Sequence, residues 1–438
     1  MSFPKYPAYK DSGVEWIGEI PVGWIISPLR YLAHCLDGKR IPLNKEERSY
    51  KKGDIPYWGA NCIVDFVDEF LFNQELILLG EDGAPFFDKT KEVSFYINEP
   101  IWPNNHVHVL KVFENFSPKF LVYSLNCVEY SSYIEGSTRD KLTQNNMNRI
   151  VVPIPPLPEQ QAIASFLDRE CGKIDALIAE QERLIALLAE KRQAVISHAV
   201  TKGLNPNAPM KDSGIPWIGM VPEGWEVSRL KYLVQYYDGI QMGPFGGMLL
   251  DINSAPTGYK VYGQENTISG DFGLGHRWIS TDRYNDLRRY SLNDGDLVLT
   301  RKGSLGNARL VSKLPYPGIA DSDTIRIRVD KSKVYPEFLA TLLHEANYIE
   351  SQINASKRGA ILSGLNTKNI SDLIVIYPPI YEQNNILNYL KIKSKEFDFS
   401  IQQSAIAITL LKERRAALIS AAVTGKIDVR AQNKALAA

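Results

Sequence analysis

Cysteine is scarce in this sequence: there are four in 438 residues, Cys35, Cys62, Cys127 and Cys171, with no CxxC pair. That spacing offers neither a zinc site nor a disulfide framework, and reduced, mostly buried thiols are expected. Net charge is absent too, because Lys+Arg and Asp+Glu number 50 each. A nucleic-acid reader with this balance must cluster its basic residues. No stretch reaches the roughly 18 uninterrupted apolar residues of a membrane span. The opening MSFPKYPAYKDSG has no apolar core for a signal peptide, so a cytoplasmic chain is expected. Catalytic motifs are also missing. The stretch RKGSLGN has the wrong order for a GxxxxGK[ST] phosphate loop. Ile154-Pro155-Pro156-Leu157 and Tyr377-Pro378-Pro379-Ile380 do not match the Asn/Asp/Ser-Pro-Pro-aromatic motif of an adenine amino-methyltransferase. No Ser/His/Asp or Cys/His set stands out, although scattered carboxylates could still build a hydrolytic site.

What is present is a duplication. KDSGVEWIGEIPVGWIISPLRYL at 10–32 recurs at 211–233 as KDSGIPWIGMVPEGWEVSRLKYL, with 14 of 23 positions identical at an offset of 201. The likeness runs on to Asp37-Gly38 and Asp238-Gly239 and then fades. A second repeat closes each half: PPLPEQQAIASFLDRE from Pro155 answers PPIYEQNNILNYLKIK from Pro378, at an offset of 223. The segment between the repeats is therefore 22 residues longer in the second half. The turn-rich stretch GGMLLDINSAPTG is the expected place for the extra length.

The closing repeats read as long helices. Pro155, Pro156 and Pro158, and Pro378-Pro379, mark the entries. Glu159 and Glu382 suit the positive helix ends, and Gly203 and Gly425 the stops. Leu167, Ile174, Ile178, Ile185, Leu188, Val195 and Ala199 step by 7, 4, 7, 3, 7 and 4. Leu390, Phe397, Ile401, Ile408, Leu411, Leu418 and Ala422 repeat that seam 223 residues later. A period near 3.5 over about 40 residues is coiled-coil spacing on a rod about 60 Å long. Such a stripe cannot bury itself, so the two helices are expected to pair. Gly172 and Gln181 interrupt the first seam and predict local irregularity. The segments 39–146 and 240–369 alternate β-rich runs (ELILLG, EVSFYI, HVHVLKV; DLVLT, NARLVS, DTIRIRV) with turns, and each ends in a shorter helical run near 117–135 or 335–353.

The predicted fold class is α+β: two similar mixed domains separated by two long helices that pair as an antiparallel coiled coil, with a pseudo-twofold internal repeat. The expected boundaries are 1–154 and 205–377 for the domains, 155–204 and 378–427 for the helices, and 428–438 for a tail. This order, with WIG-x-x-P-x-GW followed by L-x-YL and the PPLPEQ hinge, resembles the specificity subunits of Type I restriction-modification complexes over nearly the whole chain. Tyr381 departs from the hinge pattern where the first copy has Pro158. The resemblance implies two target-recognition domains, each reading one part of a split double-stranded DNA sequence. It also implies a non-catalytic chain that scaffolds two methyltransferase subunits and the restriction/translocase subunits. S-adenosylmethionine, ATP and magnesium then belong to those partners. Two similar halves with different surfaces predict an asymmetric bipartite target. Rods of this length correspond to somewhat under two duplex turns of about 34 Å. The rival reading is a coiled-coil protein scaffold that never touches DNA.

Candidate DNA-binding residues cluster near the end of each variable segment. They are Arg139, Lys141, Gln144, Asn145 and Asn146 in the first, and Lys357, Arg358, Asn366 and Lys368 in the second. Arg301, Lys302 and Ser304 follow the run DLVLT, while the apparent counterpart Gly80-Glu81-Asp82-Gly83 is acidic. Asn104 and Asn105, like Asp321-Ser322-Asp323, precede a β run. Residues 39–146 hold 12 Lys+Arg against 16 Asp+Glu, and residues 240–369 hold 16 against 13, so the first domain alone is expected to bind DNA poorly. His106 and His108 fall on one strand face, where a polar surface is favoured over a metal site for want of a third ligand. Trp16, Trp24, Trp217 and Trp225, being repeated, are expected to be packing anchors.

Overall fold

The computed structural model describes residues 3–136, 139–249, 252–302, 306–357 and 364–430. It divides into two units, residues 1–184 with 403–438 and residues 185–402.

In the first unit the run Leu76–Gly80 is buried throughout because both its faces are covered. Ile77 and Leu79 enter the main core with Phe120 and Leu125 of the helix Pro118–Leu125. Leu76 and Leu78 join Val107 and Val109 on the other face. The strands lie in the order Ala33–Cys35, Val107–Val112, Leu76–Gly80, Ser94–Ile97, all antiparallel. The second unit repeats this plan with Ile240–Met242, Thr324–Ile327, Leu297–Thr300 and Ala308–Leu310. Its helical run is split into Pro336–Glu345 and Asn347–Lys357. Each unit also pairs a strand of the opening repeat with the strand before the hinge, Ile25–Pro28 with Val151–Ile154 and Glu226–Arg229 with Ile374–Tyr377.

The extra length of the second half is not where turn composition placed it. The connection from Asp238 to Tyr259, which contains that stretch, is only three residues longer than its counterpart from Asp37 to Ile55. The one from Tyr262 to Leu297 is about twice as long as that from Trp58 to Leu76. It carries the helices Gln264–Ser269 and Thr281–Asp286 and the strand Ser291–Leu292, whose place in the first unit is held by the single bridge of Phe72 with Ile101. Turn formers mark where chain reverses, which is a different matter from where chain has been added.

The closing repeats are the helices Leu157–Lys202 and Ile380–Val423. In the first unit the end of the second helix (Leu418, Ile419, Ala422) packs with the start of the first (Ile163, Phe166, Leu167, Cys171). In the second unit the end of the first helix (Ile196, Ala199, Val200) packs with the start of the second (Ile386, Leu390). Start meets end both times, so the pairing is antiparallel, and every predicted seam position is buried or half-buried. The predicted irregularity does not occur. Gly172 is exposed beside the seam, and Gln181 is half-buried within it. With Cys171, Gln181 and Arg192 included, the seam alternates steps of four and three without a break, the heptad rule. Ser394, Ser404 and Arg415 fill the same places in the second helix.

The repeats meet where the helices begin and end. Gly425 ends the second helix at φ +73°, and a Cβ there would fall 2.3 Å from Pro21 and 3.3 Å from Trp24. Trp24 is buried and its Nε1 donates to Glu159 at 3.2 Å. Gly203 stands equivalently against Trp225 and Glu382, at φ +77°. Glutamine completes each hinge. Buried Gln160 accepts from Ser117 N and donates to Pro155 O, while Gln383 accepts from Tyr335 N and donates to Pro378 O. The packing role expected of all four tryptophans holds for Trp24 and Trp225 and fails for Trp217, which is 52% exposed against Tyr348. Among the cysteines, Cys171 is buried, Cys35 and Cys127 are half-buried and Cys62 is exposed. Burial pushes the Cys171 thiol up to about 11 and that of Cys127 up to about 12. Among the described residues no helix is long and apolar enough to cross a membrane.

Candidate nucleic-acid interface

Three segments far apart in sequence converge at one end of the larger sheet in each unit. In the first unit Glu81 N donates to His106 O, Leu142 N donates to Glu81 O, and Gly83 N donates to Asp140 O. In the second, Arg301 N donates to Asp323 O and Leu365 N donates to Arg301 O. Backbone register thus puts Glu81 and Arg301 in the same place, and Asp82 answers Lys302. The sequence-based pairing of Gly80 with Arg301 is off by one residue.

Around Glu81 and Asp82 the chain gathers basic side chains. Glu81 meets Arg40 at 2.7 Å and Lys141 at 3.3 Å; Asp82 meets His106 at 2.5 Å and Arg139 at 3.3 Å. Arg139 and Lys141 remain 59% and 50% exposed. Gln144 and Asn145 stand exposed on the first turn of the helix Gln144–Arg149, which Thr143 caps. Asn146 is instead buried, its Nδ2 donating to Tyr133 O and Glu135 Oε1. Asn104 is also turned inward, with Oδ1 accepting from His106 N at 2.7 Å, whereas Asn105 is exposed.

The two histidines do not share a solvated face. The strand starts at Val107, so His106 belongs to the preceding turn, and His108 is 1% exposed. Both ring nitrogens of His108 face acceptors, Asp37 Oδ2 at 2.6 Å and Leu142 O at 2.8 Å, so the ring ties the repeat aspartate to the loop that carries Lys141. Burial works to raise the Asp37 carboxyl, but the bonds from His108 and Val109 N, with Arg40 nearby, hold it below the ordinary carboxylate range. Asp37, Glu81 and His108 bring ligand atoms within 4.8 Å of one another, but His106 is not in that group and meets Asp82 instead, so the two histidines do not share a ligand set. Arg40 already spans the carboxylates of Glu81 and Asp37, at 2.7 and 3.3 Å, which makes the group an ion-pair network.

In the second unit the arginine of the loop is the fastener. Arg301 Nε donates to Leu365 O at 3.0 Å and Nη1 to Ser322 O at 3.4 Å, with Phe245 under the guanidinium. Lys302 is half-exposed and pairs with Asp323 at 2.8 Å. Asp321 fixes the turn through Asp323 N and Thr324; burial pushes its carboxyl up against the opposing pull of Arg277. Asn366 caps the helix Thr367–Ser371, on which Lys368 is exposed. Lys357 ends the helix Asn347–Lys357. Ser304 and Arg358 lie outside the described residues.

Sequence reasoning missed Arg40 and the destination of Asp37. The signal was the end of the opening repeat: Asp37 and its counterpart Asp238 both clasp basic side chains on or just past the equivalent strand, His108 in one unit and Arg326 with Arg328 in the other.

Known proteins point the same way as this doubled geometry. The family model described as Type I restriction modification DNA specificity domain matches twice, over residues 21–185 and 222–406. The chain is 25% identical over 452 residues to the Type I restriction enzyme EcoKI specificity subunit of Escherichia coli K12, covering 95% of this chain and 92% of that one. It is 25% identical over 457 residues to the StySPI specificity subunit of Salmonella potsdam, with 95% and 92% covered. Against the MjaVIII specificity subunit of Methanocaldococcus jannaschii it is 22% identical over 436 residues, with 94% and 95% covered. A chain from a solved structure of the type I R-M system shares the fold, with a TM-score of 0.65 at 14% identity over 92% of this chain and 98% of that one. With two copies of its defining domain joined by paired long helices, the chain belongs to the Type I restriction modification DNA specificity family.

Proposed function

We propose that the chain is the DNA-reading subunit of a Type I restriction-modification complex, recognising an asymmetric target in two parts. The observation that carries this reading is the double convergence: the same three-segment frame ends each larger sheet, but its side chains differ. A shared frame gives each domain the means to meet a duplex alike, and unlike side chains give each a different sequence to prefer. A scaffold without DNA reading has no use for that difference.

The paired helices hold the domains, and with them two methyltransferase subunits and the restriction subunits. Adenine methylation, ATP-driven cleavage, and the S-adenosylmethionine, ATP and magnesium they require belong to those partners, in the cytoplasm. Much of the phosphate attraction also comes from the partners, because residues 39–146 carry more acidic than basic side chains.

The test is a gel shift at fixed salt with the chain alone, the chain mixed with methyltransferase subunits, and those subunits alone. The reading expects a sequence-selective shift from the mixture that is much tighter than either component gives. Equal binding to every duplex would overturn it.

A further inference from the structure

The two recognition domains carry opposite charges at the same structural position. Glu81 and Arg301 each donate their N–H to the turn before the central strand and accept from a leucine N–H ahead of the short helix. The next residue in each, Asp82 or Lys302, lies against that same turn residue, 2.5 Å from His106 Nδ1 in one and 2.8 Å from Asp323 in the other. The pair is acid on the loop with base on the turn in the first domain, and base on the loop with acid on the turn in the second.

A carboxylate at a DNA-facing tip is repelled by phosphates unless cations stand between them and it meets a donor. Asp82 satisfies the first condition: Arg139 pairs with it and Lys141 with the neighbouring Glu81, and the two cations, 59% and 50% exposed, are placed to take phosphates. Its buried Oδ1 faces His106 and Arg139, and the side chain as a whole is 18% exposed. The donors a duplex offers in the major groove are the exocyclic amino groups of cytosine and adenine, while guanine offers the paired acceptors N7 and O6 that suit a cation.

Resting on the DNA-reading function proposed above, we infer that Asp82 and Lys302 are equivalent specificity-determining residues. Asp82 accepts from a cytosine or adenine amino group in the first half-site, and Lys302 donates to a guanine in the second. His106 and Asp323 are positioning residues that hold the two side chains until a base edge replaces or joins them. Arg301, tied to Leu365 O and Ser322 O, is part of the frame.

The test uses the chain assembled with its methyltransferase subunits and a panel of duplexes in which each base pair of both half-sites is changed in turn. D82N and K302Q are each expected to lose about five- to hundredfold discrimination at one base pair of one half-site, with the other half-site untouched. Unchanged discrimination, or an equal loss on every duplex, overturns the inference. D82K/H106D puts the base on the loop and the acid on the turn, as in the second domain, and is expected to move the preference at that base pair from an amino-bearing base to guanine. Retention of the original base by a D82K/H106D protein that melts like the parent also overturns it. If the parent complex itself discriminates at no base pair, the fault lies with the DNA-reading function and not with these two residues.

Discussion

Arg415 of the second long helix reaches Asp175 of the first, with Nε 2.9 Å from the carboxylate. The same two positions of the repeat, 223 residues away in each case, meet as Arg192 and Asp398 at 3.3 Å. Each arginine fills a seam position of its helix, so the antiparallel register is marked once in each unit by a symmetry-related ion pair.

The two pairs are chemically alike and energetically unequal. Arg415 is 21% exposed and also holds Glu92 of the first recognition domain at 2.7 Å, whereas Arg192 and Asp398 are 39% and 61% exposed. R415M is expected to cost about 1–3 kcal/mol by urea unfolding, and R192M no more than about 1 kcal/mol. Equal losses would mean that the contact to Glu92 contributes nothing.

The hinge glutamines should be far less replaceable than their surface-like composition implies. Q160A leaves Ser117 N and Pro155 O without their buried partner, and Q383A does the same to Tyr335 N and Pro378 O. Each is expected to lose about 1–3 kcal/mol per stranded group. Thermal melts unchanged from the parent would count against the hinge as described.

Acid should loosen the first recognition domain through Asp37. Its carboxyl lies below the ordinary range when folded, so it contributes stability that is present above the unfolded value of about 3.9. That stability is lost as pH falls through the lower folded value. D37N should therefore flatten the acid limb of a melting-temperature profile relative to the parent. An identical slope in both proteins would remove Asp37 from the account.

How much of this was legible in the sequence depends on the range of the interactions involved. The seam from Leu167 to Ala199 and its copy were readable because a helix writes its contacts at fixed short spacing. The buried strand Leu76–Gly80 and the stop at Gly425 were local as well. The convergence of Glu81, His106 and Leu142 was not, because hydrogen-bond register between distant segments leaves no periodic trace. For the same reason His108 reads as one of two surface histidines, although it is buried against Asp37, 71 residues away. Trp217 misled in the opposite sense: repetition marks a shared ancestor, and its identity with Trp16 did not ensure the same burial.

The central claim is that two dissimilar readers, fixed to one duplicated frame, each govern one part of the target. Exchanging residues 39–146 for the corresponding segment of another family member, and mapping methylated adenines genome-wide in cells that also make the methyltransferase subunits, tests it most directly. The account predicts that one part of the motif changes while the other part and the gap between them stay as they were. A change in both parts, or a single continuous motif before and after the exchange, would contradict it.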